Sequence, residues 1–396
     1  MPRSPNLLPA GVRVTDKVTL GLFARTYNVE AVLAALLKHD RATKRVRDLP
    51  NHVVVYFVMM LALFRDSAQG EVLRIVYEGL RALKGFDSGV KIAVSSAITQ
   101  ARSRVGADVL KELFHDHAKP LAQSQDKGAF FRGYRIVAID GSKVNVADKA
   151  ENAAVFGRPS GRRGEGAYPQ MSTVSLVECG THAFLRSEVG PYLDSEHKLV
   201  RKILPSFDSD MICLADRNFF GFELWSEAES TGAKLLWRAR KDFTFAVLKV
   251  LSDGSYLTTI HVKSDHKRQR GKVVRVIEYV VRGSKNNESI RVVTNILSEE
   301  EAPAIELANL YHERWEFENA LDELKTHLGA ESATMRSYTP ELVKQEWYGT
   351  LMAYYALRGV MHDAARKGGV DDDDLSFTHA VRVVRRRVPM TVDFPP

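Results

Sequence analysis

The chain of 396 residues has little cysteine: Cys179 and Cys213 are its two cysteines. Each lies within an apolar run, so we expect both to be reduced core residues in a reducing compartment. Two such residues form no zinc cluster, which excludes the cysteine-rich zinc modules.

Long hydrophobic runs are also missing. The longest, Val53 to Phe64, is about half of the ~20 residues that a membrane span requires, so it predicts a buried helix. The start, MPRSPNLLPAG, lacks the apolar core of a signal peptide. With 45% apolar residues, a mean hydropathy of −0.20 and no internal repeat, we expect a soluble globular protein of two or three domains and no membrane partner.

Acidic residues are fewer than basic ones. There are 49 of the former and 56 of the latter, which gives a net charge of +7 and a pI near 9.2. This balance favours a polyanionic partner such as nucleic acid. The excess is modest, and many basic proteins bind no nucleic acid, so charge alone does not assign a partner.

Residues 1 to about 130 have a helical pattern. The candidate helices are Val29 to Lys38, His52 to Phe64, Gly70 to Leu83, Ser95 to Val105 and Ala107 to His117. The last two have two interpretations. They form either a helix-turn-helix in which Gln100, Arg102 and Arg104 face DNA, or an ordinary helical hairpin of a small bundle.

Two short apolar strands each end in an aspartate. Tyr134 to Ile139 precedes Asp140, and Met211 to Ala215 precedes Asp216, which a helix and a further strand follow. One aspartate at a strand end is ordinary turn chemistry. The repeated pattern of strand, aspartate and helix instead predicts a mixed α/β sheet with flanking helices.

Two segments interrupt this pattern. Residues 144–170 resemble a loop that carries Arg158, Arg162 and Arg163, which suit DNA phosphates as well as they suit a solvated insertion. Residues 239–290 contain β-prone runs and predict an all-β insertion; the alternative is a separate β domain unrelated to catalysis.

A helix from Tyr311 to Leu328 sorts its residues onto two stripes. The apolar stripe consists of Leu310, Phe317, Leu321, Leu324 and Leu328. Beside it Tyr311, Arg314, Glu318 and Lys325 follow one edge, although they and the other charges of this helix also suit a solvated face. A helix opened by Thr339 and Pro340, a solvated acidic link and a basic helix from Phe377 to Arg387 complete the chain.

The spacing of Tyr311, Arg314, Glu318 and Lys325 resembles the signature of the DDE transposases of the insertion sequence 4 family. Asp140 in AIDGS and Asp216 in LADRNFFG match the two aspartate motifs of this family, and the resemblance covers about residues 10 to 390. It implies a ribonuclease-H-like mixed sheet with flanking helices, an all-β insertion before the catalytic helix and a helical N-terminal domain. The domains would then be 1–130 (DNA-binding), 131–238 (core, first part), 239–290 (insertion), 291–338 (core, second part) and 339–396 (C-terminal helices).

The same resemblance assigns the site. Asp140, Asp216 and Glu318 would be the catalytic residues and the ligands of two Mg²⁺ ions, with Mn²⁺ as a substitute. Tyr311, Arg314 and Lys325 would contact DNA. Members of the family stack an extruded base on a tryptophan whose position is about Ile290 here, so Trp315 and Trp237 are possible substitutes. A C-terminal tail that relatives often carry is short in this chain.

The predicted function is cut-and-paste DNA transposition. The enzyme would act as a homodimer on the inverted-repeat ends of an insertion sequence and on target DNA, in the bacterial cytoplasm at the nucleoid. Two alternatives are a nuclease or resolvase of the same fold that performs no strand transfer, and a catalytically silent DNA-binding repressor. Three converging carboxylates argue against the silent copy, because DNA binding requires none.

Overall fold

The computed structural model describes residues 21–43, 49–84, 95–161, 164–262, 271–280, 289–328 and 334–387. Their contacts divide the chain into two compact units. The first comprises residues 1–119, 144–170 and 321–396, and the second comprises 120–143 and 171–320. Within the described ranges, no helix combines the length and the apolar composition that crossing a bilayer would require.

The first unit is mainly helical. Its described helices are α1 (Val29–Lys38), α2 (Asn51–Leu63), α3 (Gln69–Lys84), α4 (Ser95–Val105), α5 (Asp108–His117), α6 (Ala150–Phe156), α11 (Pro340–Gly368) and α12 (Phe377–Arg387). The longest apolar run of the chain is α2, whose residues are almost all buried and pack against α11. The Thr339 side chain caps α11 by accepting from the Leu342 N–H, and Gly369 ends it with a φ of 65°.

Two arginines of α4 that the helix-turn-helix interpretation directs toward DNA have partners within the first unit. Arg102 is buried, and its guanidinium donates to Gln345 and Ser337 within the same unit. Arg104 donates to the Leu49 carbonyl. The helix-turn-helix interpretation is therefore wrong for Arg102, because periodicity alone does not reveal which polar residues α11 covers.

The second unit contains most of a mixed sheet of eleven strands, ordered β6-β5-β2-β7-β8-β12-β11-β10-β9. These strands are β2 (Tyr134–Val146), β5 (Gln170–Glu178), β6 (Phe184–Pro191), β7 (Met211–Ala215), β8 (Lys234–Arg238), β9 (Lys249–Val250), β10 (Tyr256–His261), β11 (Gly271–Val280) and β12 (Ser289–Thr294). The short strand β1 (Phe130–Phe131) pairs with β2, and β13 (Thr334–Met335) pairs with the last residues of β2 in the first unit. Strands β3 (Ser160–Gly161) and β4 (Gly164–Glu165) form a separate hairpin. The predicted mixed α/β fold is confirmed.

The central strands β2, β7 and β8 run parallel, and apart from Arg135 and Lys234 the residues that pair are apolar. Strand β7 is buried along its whole length, as are the inner residues of β8, as expected for parallel strands covered on both faces. Helices α7 (Glu196–Val200) and α8 (Phe222–Glu229) connect these strands. Both cysteines are buried, as predicted, and burial raises the pKa of each thiol.

The predicted β insertion continues the main sheet. Strand β12 pairs antiparallel with β8, and β11, β10 and β9 follow by antiparallel pairing. The alternative of a separate β domain is therefore wrong. In the β-prone run 243–250, within residues 239–290, only the last two residues pair as a strand. The basic sequence KSDHKRQRGK between β10 and β11 lies largely outside the described residues.

Strand β2 is longer than its apolar run predicts. It passes through Asp140 and continues to Val146, where β13 supplies a parallel partner. The expected loop after Val144 also contains α6, which ends before Gly157, a residue with a φ of 78°. The sequence did not predict this helix, because the glycines and prolines that follow it within residues 144–170 indicate a loop.

Candidate active site

The register of two strands places Asp140 and Asp216 side by side. In the parallel pair of β2 and β7, Ile139 is opposite Ala215, so the next residue of each strand carries an acid. Neighbouring strands lie about 4.8 Å apart. Both carboxyl side chains are half-buried, at the edge where the β7 ladder ends.

The third acid lies on a helical segment with three kinds of turn. Helix α9 (Ala304–Leu310) continues as a 3-10 turn (Tyr311–Arg314), then as α10 (Trp315–Asp322), and then as a π turn (Glu323–His327). The predicted uniform α-helix is thus wrong in detail. Because a π turn adds a residue per turn, angles taken at 100° per residue no longer apply to Lys325.

Three contacts fix this segment on the sheet of the second unit. The Tyr311 hydroxyl donates to the carbonyl of Ala215 at 3.3 Å, directly before Asp216. The Phe317 ring packs on Phe184 of β6, with 6.2 Å between centroids. Glu316 bonds His182 at 2.7 Å. Glu318 therefore projects from a helical segment that is anchored by neighbouring residues that precede it in sequence.

The guanidinium of Arg314 binds two of the three acids. Its Nη1 donates to Oδ2 of Asp140 at 3.3 Å, and its Nη2 donates to Oε1 of Glu318 at 2.9 Å. Only 14% of the Arg314 side chain is exposed, so these contacts are partly shielded from solvent. Asp140 thus lies near Glu318 through Arg314 and near Asp216 through the strand register, and the meeting of all three acids around a metal ion stays a prediction.

The environment of Asp140 opposes its charge. The pKa of Asp140 is raised to about 6: burial is the main cause and the carboxylates of Asp216 and Glu196 add to it, while the Gly141 N–H and Arg314 act in the opposite direction. The Gly141 N–H donates to Oδ1 of Asp140 at 2.7 Å. A carboxyl held in this way among other acids gains from any cation that binds beside it.

Glu196 is an acidic residue of the site that sequence analysis missed. It opens α7, and a Cβ atom added at Gly141 would lie 2.8 Å from its Cγ, closer than real Cβ contacts. Gly141 thus leaves room for the end of the Glu196 side chain, and its φ is not positive. The sequence offers a weak signal at most, namely a glycine directly after the first aspartate.

The predicted DNA-contacting residues have different environments. Trp315 is exposed over 61% of its surface, whereas the Tyr311 side chain is buried and its pKa is raised by that burial. Lys325 lies in the π turn, and burial lowers its pKa. Tyr311 therefore packs on β7 instead of presenting its hydroxyl to solvent.

The loop arginines and Trp237 were also predicted to contact DNA or an extruded base. Arg158 binds Asp148 and donates to the carbonyl of Ala167 at 2.8 Å, so it closes its own loop. Arg162 and Arg163 lie outside the described residues. Trp237 is fully buried against Trp225, so the prediction that it could stack on an extruded base is wrong.

The residues of the site suit a hard divalent cation. Carboxylate oxygens are the donors that Mg²⁺ and Mn²⁺ prefer. A guanidinium already lies between Asp140 and Glu318, which shows that the position favours positive charge. Asp140, Asp216 and Glu318 are therefore candidate ligands of a divalent metal ion.

Known transposases resemble this chain over most of its length. Residues 17–115 match the family of insertion element 4 transposase N-terminal regions, and residues 131–356 match the transposase DDE domain. Over 361 residues the chain is 25% identical to transposase InsG for insertion sequence element IS4 of Escherichia coli (strain K12), covering 90% of this chain and 80% of InsG.

Two further likenesses are more limited. The protein InsZ of Escherichia coli (strain K12) is 30% identical over 223 residues, which cover 54% of this chain and 70% of InsZ. A cryo-EM structure of the piggyBac transposase synaptic complex with hairpin DNA covers 94% of this chain and 82% of its own, at 10% identity and a TM-score of 0.49. That structural likeness is too weak to carry an assignment.

Proposed function

Because the chain belongs to the DDE transposases of the insertion element 4 family, we propose that Asp140, Asp216 and Glu318 are its catalytic carboxylates. One observation carries this proposal. The Arg314 guanidinium binds both Asp140 and Glu318, while the β2–β7 register lays Asp216 beside Asp140. Residues far apart in sequence are thereby collected at one edge of the sheet.

The chain is a DNA transposase, an enzyme that cleaves DNA and joins its strands. Its mixed sheet is a ribonuclease-H-like core with a β insertion. In the sheet, β7 lies next to β2, the strand of Asp140; in the chain, β9 to β12 come before the helix of Glu318. A helical region that matches the N-terminal family model comes first.

Divalent metal dependence follows from the DDE domain. We propose that the metal is Mg²⁺, as two ions for which Mn²⁺ can substitute, and that Asp140, Asp216 and Glu318 hold them. When bound, such ions activate a water or a 3′-hydroxyl and stabilise the leaving oxygen of an in-line displacement at phosphorus. Phosphodiester hydrolysis and strand transfer are the same displacement with different nucleophiles.

The other residues of the site act on the carboxylates and on DNA. Arg314 orients Asp140 and Glu318 and lowers their mutual repulsion. Tyr311 anchors the helical segment through the Ala215 carbonyl. Exposed Trp315 supplies an aromatic face for a nucleobase, and Lys325 supplies positive charge.

We propose further that the reaction is cut-and-paste. A homodimer would pair the two inverted-repeat ends of its element and join them to target DNA at the bacterial nucleoid. Arg158, Arg162 and Arg163 would contribute phosphate contacts, and 1–130 would contribute most of the end binding. The proposed domains remain 1–130, 131–238, 239–290, 291–338 and 339–396.

The first test separates binding from cleavage. Asp216→Asn should keep affinity for DNA that carries the ends of the element, and should abolish metal-dependent cleavage of that DNA. The matched control is Asp210→Asn, an exposed acid at the other end of the same strand, which should leave both intact. Cleavage by the Asp216 variant at the wild-type rate would show that the carboxylates are wrongly assigned.

A second test separates transposase from nuclease. Ends cut in advance and carrying free 3′-hydroxyls should be joined to target DNA when Mg²⁺ is added. A nuclease or resolvase of the same fold would yield no joined product, and a silent repressor would bind the ends without cleaving or joining them. Gel separation of labelled products distinguishes all three outcomes.

A further inference from the structure

The first unit contains a cavity that the proposed chemistry does not use. It has a volume of about 360 Å³ and lies among α2, α3, α4, α11 and the segment between β13 and α11. Since a water molecule occupies about 30 Å³ of liquid, the cavity has room for a group of roughly ten water volumes. All of its lining residues belong to this one unit.

The charged residues of this cavity are three arginines and one glutamate. Arg65, Arg102 and Arg336 line it together with Glu346, so its walls carry a net charge of 3 − 1 = +2. Arg65 and Arg102 are buried, with exposed fractions of 6% and 4%. Asp66, the nearest further acid to Arg65, is exposed and does not line the cavity.

The glutamate is already heavily engaged. Glu346 accepts the backbone N–H of Arg336 at 3.1 Å, the N–H of Ser337 at 3.0 Å and the Ser337 hydroxyl at 2.6 Å. Its contact with Arg65 is long, at 3.4 Å. One carboxylate that serves four donors balances three guanidinium groups poorly.

Several guanidinium donors remain for a ligand. Arg65 uses Nη2 for the Thr334 carbonyl and Glu346, and Arg102 uses Nε and Nη2 for Gln345, Ser337 and Leu342. Arg336 uses Nη1 for the carbonyl of Arg65. Within the described part of the chain, the other nitrogens of these three side chains have no hydrogen-bond partner.

The positive charges also oppose one another. Burial lowers the pKa of Arg65 and of Arg102, and Arg336 lowers both further against the attraction of Glu346. An anion between these side chains would relieve that repulsion. Charge-assisted bonds from arginine to phosphate oxygens are among the stronger hydrogen bonds in proteins.

We propose that this cavity binds a phosphate group through Arg65, Arg102 and Arg336. The shape of the guanidinium suits two oxygens of one phosphate, and the remaining volume admits the sugar to which a phosphate is attached. Two sources share this chemistry: a backbone phosphate of DNA and free inorganic phosphate. The DNA source rests on the proposed function.

The first arm of the test uses inorganic phosphate with the full chain. Thermal unfolding is followed as phosphate is added at constant ionic strength set with sodium chloride. The wild-type midpoint should rise with phosphate concentration, and Arg336→Gln should bind roughly tenfold more weakly. Arg336 is exposed, so its loss should leave the midpoint without phosphate nearly unchanged. The matched control is Lys344→Gln, which removes the same charge from α11 outside the cavity.

The second arm uses a DNA duplex of arbitrary sequence. The dependence of log affinity on log salt should become shallower by about 0.9 in Arg336→Gln if one phosphate contact is lost. A change in this arm alone identifies backbone phosphate as the ligand, and a change in the first arm alone identifies free phosphate. If Arg336→Gln matches Lys344→Gln in both arms, the proposal is overturned.

A variant that is expected to strengthen phosphate binding shows that weaker binding does not simply reflect misfolding. Glu346→Gln raises the charge of the cavity walls from +2 to +3, so it should strengthen phosphate binding, and weaker binding by a folded variant contradicts the proposal. Neither arm measures cleavage. Asp216→Asn should therefore behave as wild type in both, which separates failure of this site from failure of the proposed catalytic function.

Discussion

Arg314 is the residue that most changes the interpretation of the site. Sequence resemblance made it a DNA contact, whereas its guanidinium binds Asp140 and Glu318. The acids themselves could be predicted, because each of Asp140 and Asp216 follows an apolar strand and Glu318 lies in a spaced motif. Their cation could not, since an arginine four residues from a glutamate on a helix is common at any surface.

Glu196 shows a second limit at the residue scale. Its side chain occupies the space where a Cβ atom at Gly141 of β2 would lie, and no local sequence pattern predicts that proximity. The burial of Tyr311 has the same origin, because its partner is a carbonyl of β7. Contacts between elements are set by packing and therefore escape periodicity.

Gly141→Ala tests the space beside Asp140. The new Cβ would displace the end of the Glu196 side chain, so we expect metal-dependent cleavage to fall by about tenfold while the protein still folds. The measurement is the cleavage rate together with the thermal midpoint. Gly359→Ala is the control: nothing lies near its added Cβ, and alanine should stabilise α11 by up to about 1 kcal/mol. Normal cleavage by Gly141→Ala would mean that this close approach has no role.

At the scale of elements, the sequence predicted most of what depends on local pattern. Strands β7 and β8, helix α12 and helices α1 and α4 have the expected bounds. The C-terminal half of β2 was missed because Asp140, Gly141, Ser142 and Lys143 interrupt its apolar pattern, whereas β13 and β5 hold it as a strand. The π turn was missed because an amphipathic pattern assumes 3.6 residues per turn.

The β insertion is connected to the catalytic segment through Arg275. This side chain of β11 is fully buried, and it donates to the carbonyls of Ser298 at 3.0 Å and Ala302 at 2.7 Å and binds Asp253. Asp253 also accepts the N–H of Ala304 at 2.7 Å, at the start of α9. The insertion thus helps to fix where the helical segment of Glu318 begins.

Arg275→Met should therefore destabilise the protein. Removing one partner of a buried ion pair leaves Asp253 and two carbonyls without their donor, at a cost of about 3 kcal/mol. Denaturant unfolding measures this change. Lys249→Met removes the same charge from exposed β9 and should change the free energy of unfolding by less than about 0.5 kcal/mol. Equal effects of the two substitutions would show that the Arg275 contacts carry no stability.

At the scale of the whole molecule, fold class was predictable and strand order was not. Alternating strands and helices around two aspartates predicted a mixed sheet, and long helical patterns predicted the N-terminal region. No local sequence pattern predicts that β12 pairs with β8, so the sequence alone also allows a separate β domain at residues 239–290. Family resemblance supplied the function, which fold alone does not determine.

The central claim is that Asp140, Asp216 and Glu318 together hold divalent cations, although the first and the last are separated by 178 positions in the chain. Calorimetric titration with Mn²⁺ tests this without any DNA. Wild-type protein should show saturable binding. Asp140→Asn, Asp216→Asn and Glu318→Gln should each weaken that binding at least about tenfold, because each removes one anionic ligand. Asp210→Asn should bind as wild type, and undiminished Mn²⁺ binding by any of the three variants would contradict the account.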